Sequence, residues 1–151
     1  MNTYDISTDK DRLDLDAIHA FLVRSYWSPG VPRELVARAI ANSMCFGVYL
    51  GDAQVGFARV VTDRTSFAYL ADVFVLEAHR GQGLSKRLVA EILAHPDLQG
   101  LRRVLLATAD AHGLYAQFGF DALVRPGSMM ELRTAWPYGT AERPAPRTKA
   151  A

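Results

Sequence analysis

Cysteine is all but missing from this chain: Cys45 is the only one. One thiol cannot form an internal disulfide, so a reducing, cytoplasmic setting is expected. Cys45 sits in an apolar run and reads as buried filler. An excess of one charge is also lacking. Seventeen Lys and Arg against sixteen Asp and Glu leave a net charge of +1, which gives no broad field for nucleic acid. No apolar run reaches membrane-spanning length, so no membrane partner is expected. The opening residues Met1-Asn2-Thr3-Tyr4-Asp5 lack a basic region followed by an apolar one, and no secretory signal is expected. The histidines, His19, His79, His95 and His112, are scattered without ligand spacing, so no zinc or other metal site is expected. No internal repeat is visible.

What remains is a globular composition, 151 residues long and half apolar, enough for one domain with its own core. Tyr4 to Ser7 reads as a short strand and Asp9 to Arg12 as a loop. Asp14 can cap a helix running to about Ser25, with Leu15, Ile18, His19, Leu22 and Val23 on one face. Tyr26 to Pro32 is a loop rich in Pro and Gly. A second helix follows, with Leu35, Val36, Ala39 and Ile40 on its apolar face, and ends at Asn42-Ser43. Met44 to Leu50 and Ala53 to Val61 form a hairpin around Gly51-Asp52. After a turn at 62–66, Phe67 to Val75 is apolar on both sides, as a central strand is. Strict alternation puts Phe67, Tyr69, Ala71, Val73 and Val75 on one face and Ala68, Leu70, Asp72 and Phe74 on the other. Arg102 to Thr108 is another buried strand. Ala111, Leu114, Tyr115 and Phe118 share the face of a short helix closed by Gly119. Phe120 to Val124 and Met129 to Arg133 read as the final strands. From Pro137 the chain is rich in Pro, Ala and charge, a loosely held tail.

Two stretches carry chemistry. The first is Arg80-Gly81-Gln82-Gly83-Leu84-Ser85-Lys86, between the central strand and an amphipathic helix that Pro96 stops. A glycine turn at a helix start exposes unused backbone N–H groups, adds the positive end of the helix dipole, and lets an anion approach without meeting a Cβ. The physical reading is a pyrophosphate cradle. The dinucleotide fingerprint lacks its third glycine, and the mononucleotide loop lacks its Gly-Lys-Ser/Thr. A tight connection with a solvated basic edge is the plain alternative. The second stretch is Leu114-Tyr115-Ala116-Gln117-Phe118-Gly119-Phe120. On an apolar helix face, Tyr115 by itself reads as core.

Together these stretches resemble the GNAT superfamily of acyl-CoA N-acyltransferases. Arg80-x-x-Gly83-x-Ser85 is similar to its Arg/Gln-x-x-Gly-x-Gly/Ala motif, with Ser85 in the last small position. Ala111 and Tyr115-x-x-x-Gly119-Phe120 are similar to its Asn, Ala, Leu-Tyr-x-x-x-Gly-Phe pattern, with Thr108 where the Asn stands. The resemblance covers roughly residues 44 to 124. It implies an α/β (α+β) fold: a single domain over residues 1–136, with a mixed central sheet of about six to seven strands flanked by about four helices, followed by the tail at 137–151.

The resemblance also implies a reaction, transfer of acetyl from acetyl-CoA to a primary amine, most simply that of a small molecule, in one ternary complex without a metal. Arg80, Gly81, Gln82, Gly83, Leu84, Ser85 and Lys86 would hold the pyrophosphate. Val73, Phe74 and Val75 would pair with the pantetheine amides, and Thr108 would touch the cofactor. Tyr115 would protonate the leaving thiolate, and Asp72 would take the amine proton, often through water. Ala71 stands where relatives carry Glu. Asp72 read on its own is a structural ion-pair partner as readily as a base. Tyr26 and Trp27 either plug the joint between the first two helices or wall the acceptor pocket. Two other readings stay open: a CoA-binding sensor without turnover, and a transferase for a protein amine or a longer acyl group. Acetyl-CoA and an amine acceptor are the expected partners, with a homodimer left open.

Overall fold

A computed structural model describes residues 3–135 and 138. Its centre is a five-stranded sheet in the order β1-β2-β3-β4-β5. The strands are β1 (Tyr4–Ser7), β2 (Met44–Leu50), β3 (Ala53–Thr62), β4 (Phe67–Val75) and β5 (Arg103–Leu106). The first four are antiparallel in sequence order, and β5 returns parallel to β4. That parallel return needs a crossover, supplied by helix α3 (Leu84–Ala94). Helices α1 (Leu15–Leu22) and α2 (Arg33–Ala41) precede β2, and α4 (His112–Ala116) follows β5.

Local chemistry sets these boundaries. Asp14 caps α1, its carboxylate accepting the Ala17 N–H at 3.0 Å. The helix ends at Leu22, one turn before the expected Ser25, because the chain bends there and the Gly30 N–H returns to the Val23 carbonyl at 2.9 Å. The expected loop at Asp9–Arg12 contains a 3-10 turn, Lys10–Arg12. At the β3–β4 turn the Asp63 carboxylate accepts the N–H groups of Thr65, Ser66 and Phe67. The Ser66 hydroxyl, which also donates to it, and then these backbone bonds hold its pKa far below the usual carboxylate range.

The sheet separates two cores. On one side Phe46, Val48, Val60 and Leu70 pack with Leu88, Val89 and Ile92 of α3. On the other, Cys45, Phe57 and Phe74 meet Ile18, Leu22 and Val36 of α1 and α2. Cys45 is buried as expected, and burial pushes its thiol up to about 11.

Two expectations fail for identifiable reasons. The alternation along β4 breaks at a bulge. Phe57 pairs with Phe74 and Arg59 with Ala71, so Ala58 alone faces both Asp72 and Val73. Asp72 adopts φ +54°, the left-handed region that Asp tolerates better than most residues. The bulge therefore puts Val73 and Val75 into the same core as Ala68 and Leu70, and turns Phe74 to the other. Second, the sheet has five strands, not six or seven. Neither 120–124 nor 129–133 is a strand, and the expected strand at 102–108 is shortened to Arg103–Leu106. The later segments find no strand to pair with, and Val124, Met130 and Leu132 stand almost fully exposed. Among the described residues β5 pairs only with β4, so its outer edge is open. Of the expected tail at 137–151, only Tyr138 is described; it packs half-buried against the α1–α2 core.

Candidate active site

The strands β4 and β5 pair only from Phe67–Leu70 to Arg103–Leu106. Beyond that point β4 runs on through Ala71–Val75 with no neighbour on the β5 side among the described residues. The result is a gap between two parallel strands, with a strand edge along one wall. Val73, Phe74 and Val75, picked out in the sequence, form that edge. Their side chains are buried, so what they offer the gap is backbone.

The gap leads to the glycine turn. Gly81 and Gly83 take φ +79° and +77°, and a Cβ on either would meet nothing within 4 Å. Gly83 is the N-cap of α3, and no side chain caps it. The first amides of α3, those of Leu84, Ser85 and Lys86, are thus presented to open space at the positive end of an eleven-residue helix. Lys86 is exposed beside them, while the Leu84 side chain is core and only its amide can serve. The turn is braced from behind. The Gln82 amide donates to Tyr4 Oη at 3.1 Å, which lies 2.9 Å from His79 Nδ1. Arg87 donates to the Tyr4 carbonyl at 2.8 Å, and Arg80 Nε to the Val75 carbonyl at 2.8 Å. The side chains of Gln82 and Arg80 therefore support the turn, leaving backbone and the remaining Arg80 N–H groups to face a ligand. This geometry fits a phosphate-bearing ligand.

On the far side of β4 a cavity of about 480 Å³ is lined by Tyr26, Trp27, Arg59, Tyr69, Asp72 and Tyr115, among others. Asp72 is held at both oxygens: Trp27 Nε1 donates to one at 2.9 Å and Arg59 Nε to the other at 2.8 Å. Arg59 also donates to Ser43 Oγ at 3.1 Å. Tyr26 spans the cavity, its hydroxyl accepting the Ala109 N–H at 3.0 Å. Thr108 Oγ accepts the Ala111 N–H at 3.0 Å, so this side chain organises the entry to α4. The two readings of Trp27 merge: its ring packs in the α1–α2 joint and also lines the cavity.

Tyr115 is 7% exposed, and its hydroxyl makes no hydrogen bond among the described residues. Phe120 packs edge-on against its ring. Burial, reinforced by Tyr26 and Asp110, pushes its pKa up to about 12. A phenol so placed keeps its proton throughout the neutral range. Sequence reading missed Arg59 and Tyr69. Arg59 left a signal, a lone cation inside the otherwise apolar run Val55–Val61 that matches the lone carboxylate of the next strand. Among the described residues no group of three or more His, Cys, Asp or Glu could hold a metal, and no helix is long and apolar enough to cross a membrane.

This mixed sheet, with its parallel strands parting beside an amide-lined glycine turn, matches the fold of a solved GNAT-family structure. The chain belongs to the acetyltransferase (GNAT) family, whose model matches residues 13–120. A candidate GNAT-family acetyltransferase from Xanthomonas campestris pv. campestris is 50% identical, with a TM-score of 0.89 over 93% of this chain and 99% of that one. A Gibberella zeae protein bearing an acetyltransferase name is 34% identical over 137 residues, 76% of each chain. A Clostridium acetobutylicum protein solved with acetyl-CoA shares the fold at 14% identity, with a TM-score of 0.65 over 88% and 96% of the two chains.

Proposed function

We propose that this protein is an N-acetyltransferase that moves acetyl from acetyl-CoA to the primary amine of a small molecule. The observation that carries the reading is the parting of β4 and β5 directly between the amide-lined turn and the cavity that holds Tyr115. The ligand supplies an activated acetyl thioester and a pyrophosphate. Residues Arg80 to Lys86 bind the pyrophosphate through backbone N–H groups and cationic side chains. The free edge at Val73–Val75 takes the pantetheine amides as a strand would. The backbone N–H near Val73 donates to the thioester carbonyl oxygen. Tyr115 holds a proton at Oη and delivers it to the sulfur as the C–S bond breaks and the N–C bond forms. Thr108 shapes the cofactor side of the α4 entry.

Asp72 supports the site differently from a free base. Both its oxygens already accept protein hydrogen bonds, so we assign it to fixing the bulge and the cavity wall, with the amine proton leaving to cleft water. Tyr26 and Trp27 wall the acceptor side. A cavity of about 480 Å³ suits a small molecule better than a folded protein's lysine. A cytoplasmic setting suits acetyl-CoA and a buried, unpaired Cys45.

The test is release of free thiol from acetyl-CoA against a panel of small amines, with acetyl-CoA binding followed by thermal shift. Turnover with at least one small amine is expected. Tight binding with no turnover on any amine would favour the sensor reading. Turnover only with a peptide lysine or a longer acyl-CoA would move the substrate assignment and leave the site intact.

A further inference from the structure

The charged side chains that line the acceptor cavity are Arg59, Asp72 and Asp110. Arg59 and Asp72 cancel, joined at 2.8 Å. Asp110 has no such partner: its carboxylate makes no hydrogen bond or salt bridge among the described residues. Nor does that carboxylate serve the fold. It stands just before α4, but the N-cap there is Ala111, and no side chain caps the helix. Thr108 Oγ takes the N–H groups of Asp110 and Ala111 instead, at 3.4 and 3.0 Å. Asp110 is half-buried, where an unpaired charge costs stability that a bound counter-charge removes. Its charge reaches into the cavity: after burial and Tyr26, it is what raises the pKa of Tyr115. Around this one uncompensated negative charge stand the rings of Tyr26, Trp27, Tyr69 and Tyr115, and aromatic faces attract cations.

We propose that the acceptor is a primary amine carrying a second cationic group, which Asp110 holds while the other end reacts. The inference rests on the acetyl-transfer reading above and narrows its acceptor. An amine with a single nitrogen serves this cavity badly. Asp110 would hold it as an ammonium, which has no lone pair for attack. A second cation separates the two tasks. One end satisfies the carboxylate and the aromatic rings. The other loses its proton to cleft water and meets the thioester beside Val73. The held cation also lowers the pKa of the reacting end, because a like charge nearby disfavours protonation. The opposite class, an amine bearing a carboxylate, finds no net positive charge here. Arg59 Nε and Nη1 are committed to Asp72 and Ser43, and its charge is already balanced.

The test compares thiol release from acetyl-CoA with amines of matched chain length: butylamine, diaminobutane, its guanidino counterpart aminobutylguanidine, and γ-aminobutyrate, together with their longer and shorter homologues. The dicationic amines are expected to show a kcat/KM at least about tenfold above the neutral-ended amine, as for a hydrogen bond to a charged group. The carboxylate-bearing amine is expected to be the poorest, and the better of the two dications identifies the held group. Asp110→Asn removes the charge, keeps the size and leaves the backbone bonds to Thr108 in place. It is expected to erase the preference, chiefly through KM, while acetyl-CoA still raises the melting temperature as in wild type. Asp110→Lys is expected to turn the preference toward γ-aminobutyrate. A wild type that favours butylamine or γ-aminobutyrate overturns the proposal and leaves acetyl transfer standing, as does a dication preference that survives Asp110→Asn. No thiol release with any amine, in a protein that acetyl-CoA still stabilises, overturns the transferase reading itself and this proposal with it.

Discussion

The two halves of the proposed site are built on opposite principles. The donor side is backbone: an unpaired strand edge, two left-handed glycines and a bare helix N-terminus. Its side chains brace the turn from behind, through Tyr4, His79 and Gln82. The acceptor side is made of side chains, and they are bound to one another: Trp27 and Arg59 to Asp72, Arg59 to Ser43, Tyr26 to the loop after β5. A backbone site recognises what is common to all acyl-CoA molecules. A side-chain site can change its substrate by changing a few residues. The donor side therefore tolerates little substitution at its glycines, while the acceptor side loses stability and selectivity in steps.

The largest expected effect is on the donor side. Gly83→Glu places a side chain and a negative charge where the phosphate approaches, and forces φ +77° on a residue with a Cβ. The strain alone costs about 1–2 kcal/mol, and open space around the position lets the fold survive. The thermal shift produced by acetyl-CoA is expected to vanish, with the ligand-free melt only moderately lowered. A folded variant with an undiminished shift would remove the turn from the donor site.

Tyr115 stands where the halves meet, and Tyr115→Phe removes its hydroxyl alone. Turnover is expected to fall by about 10²–10⁴-fold, the range for a lost proton-transfer group. The acetyl-CoA thermal shift should change little, because the hydroxyl acts mainly in the transition state. Its titration gives a second readout. The folded pKa, about 12, lies above the unfolded value of about 10. The associated stability is therefore intact below pH 10 and lost as pH rises toward 12, by at most about 2–3 kcal/mol. Tyr115→Phe should remove that alkaline loss. An equal alkaline loss in wild type and variant would mean that another group titrates there.

The structure of the proposed donor half was legible because its information is local. Arg80-Gly81-Gln82-Gly83, the helix after it and the Tyr115–Phe120 stretch each state their structure within a few residues. The acceptor half was only partly legible. Asp72 stood out as a carboxylate in an apolar strand, yet its partners lie 45 and 13 positions away, and the bulge that aims it leaves no pattern in the strand. Alternation misassigned the faces of β4 for that reason. Residues 129–133 read as a strand because their composition is that of one; whether a strand forms depends on a neighbour, which a single chain's local pattern does not contain.

Asp72→Asn sharpens the acceptor side next. The amide keeps the shape, tolerates positive φ and can still accept from Trp27. It leaves the Arg59 guanidinium, only 20% exposed, without its counter-charge. A loss of about 1–3 kcal/mol is expected in denaturant unfolding. The rate per folded molecule should keep the wild-type pH dependence. A rate deficit that shrinks as pH rises, in a variant of undiminished stability, would instead make Asp72 the general base.

The smallest expected effect separates packing from recognition at Trp27. Trp27→Phe keeps an aromatic ring against Phe21 and Tyr26 and deletes the 2.9 Å bond to Asp72. Asp72 retains Arg59 at the other oxygen, so its charge stays compensated and about 1 kcal/mol is lost. The indole also lines the cavity, and a smaller ring enlarges it beside the bulge. The KM for the amine is therefore expected to rise several-fold while the acetyl-CoA thermal shift is unchanged, because the glycine turn and the α3 N-terminus that would hold the pyrophosphate do not line this cavity. A fall in stability with an unaltered amine KM would reduce Trp27 to a plug in the helix joint. A change in acetyl-CoA binding would show that the bulge couples the two halves more tightly than their separate hydrogen-bond networks imply.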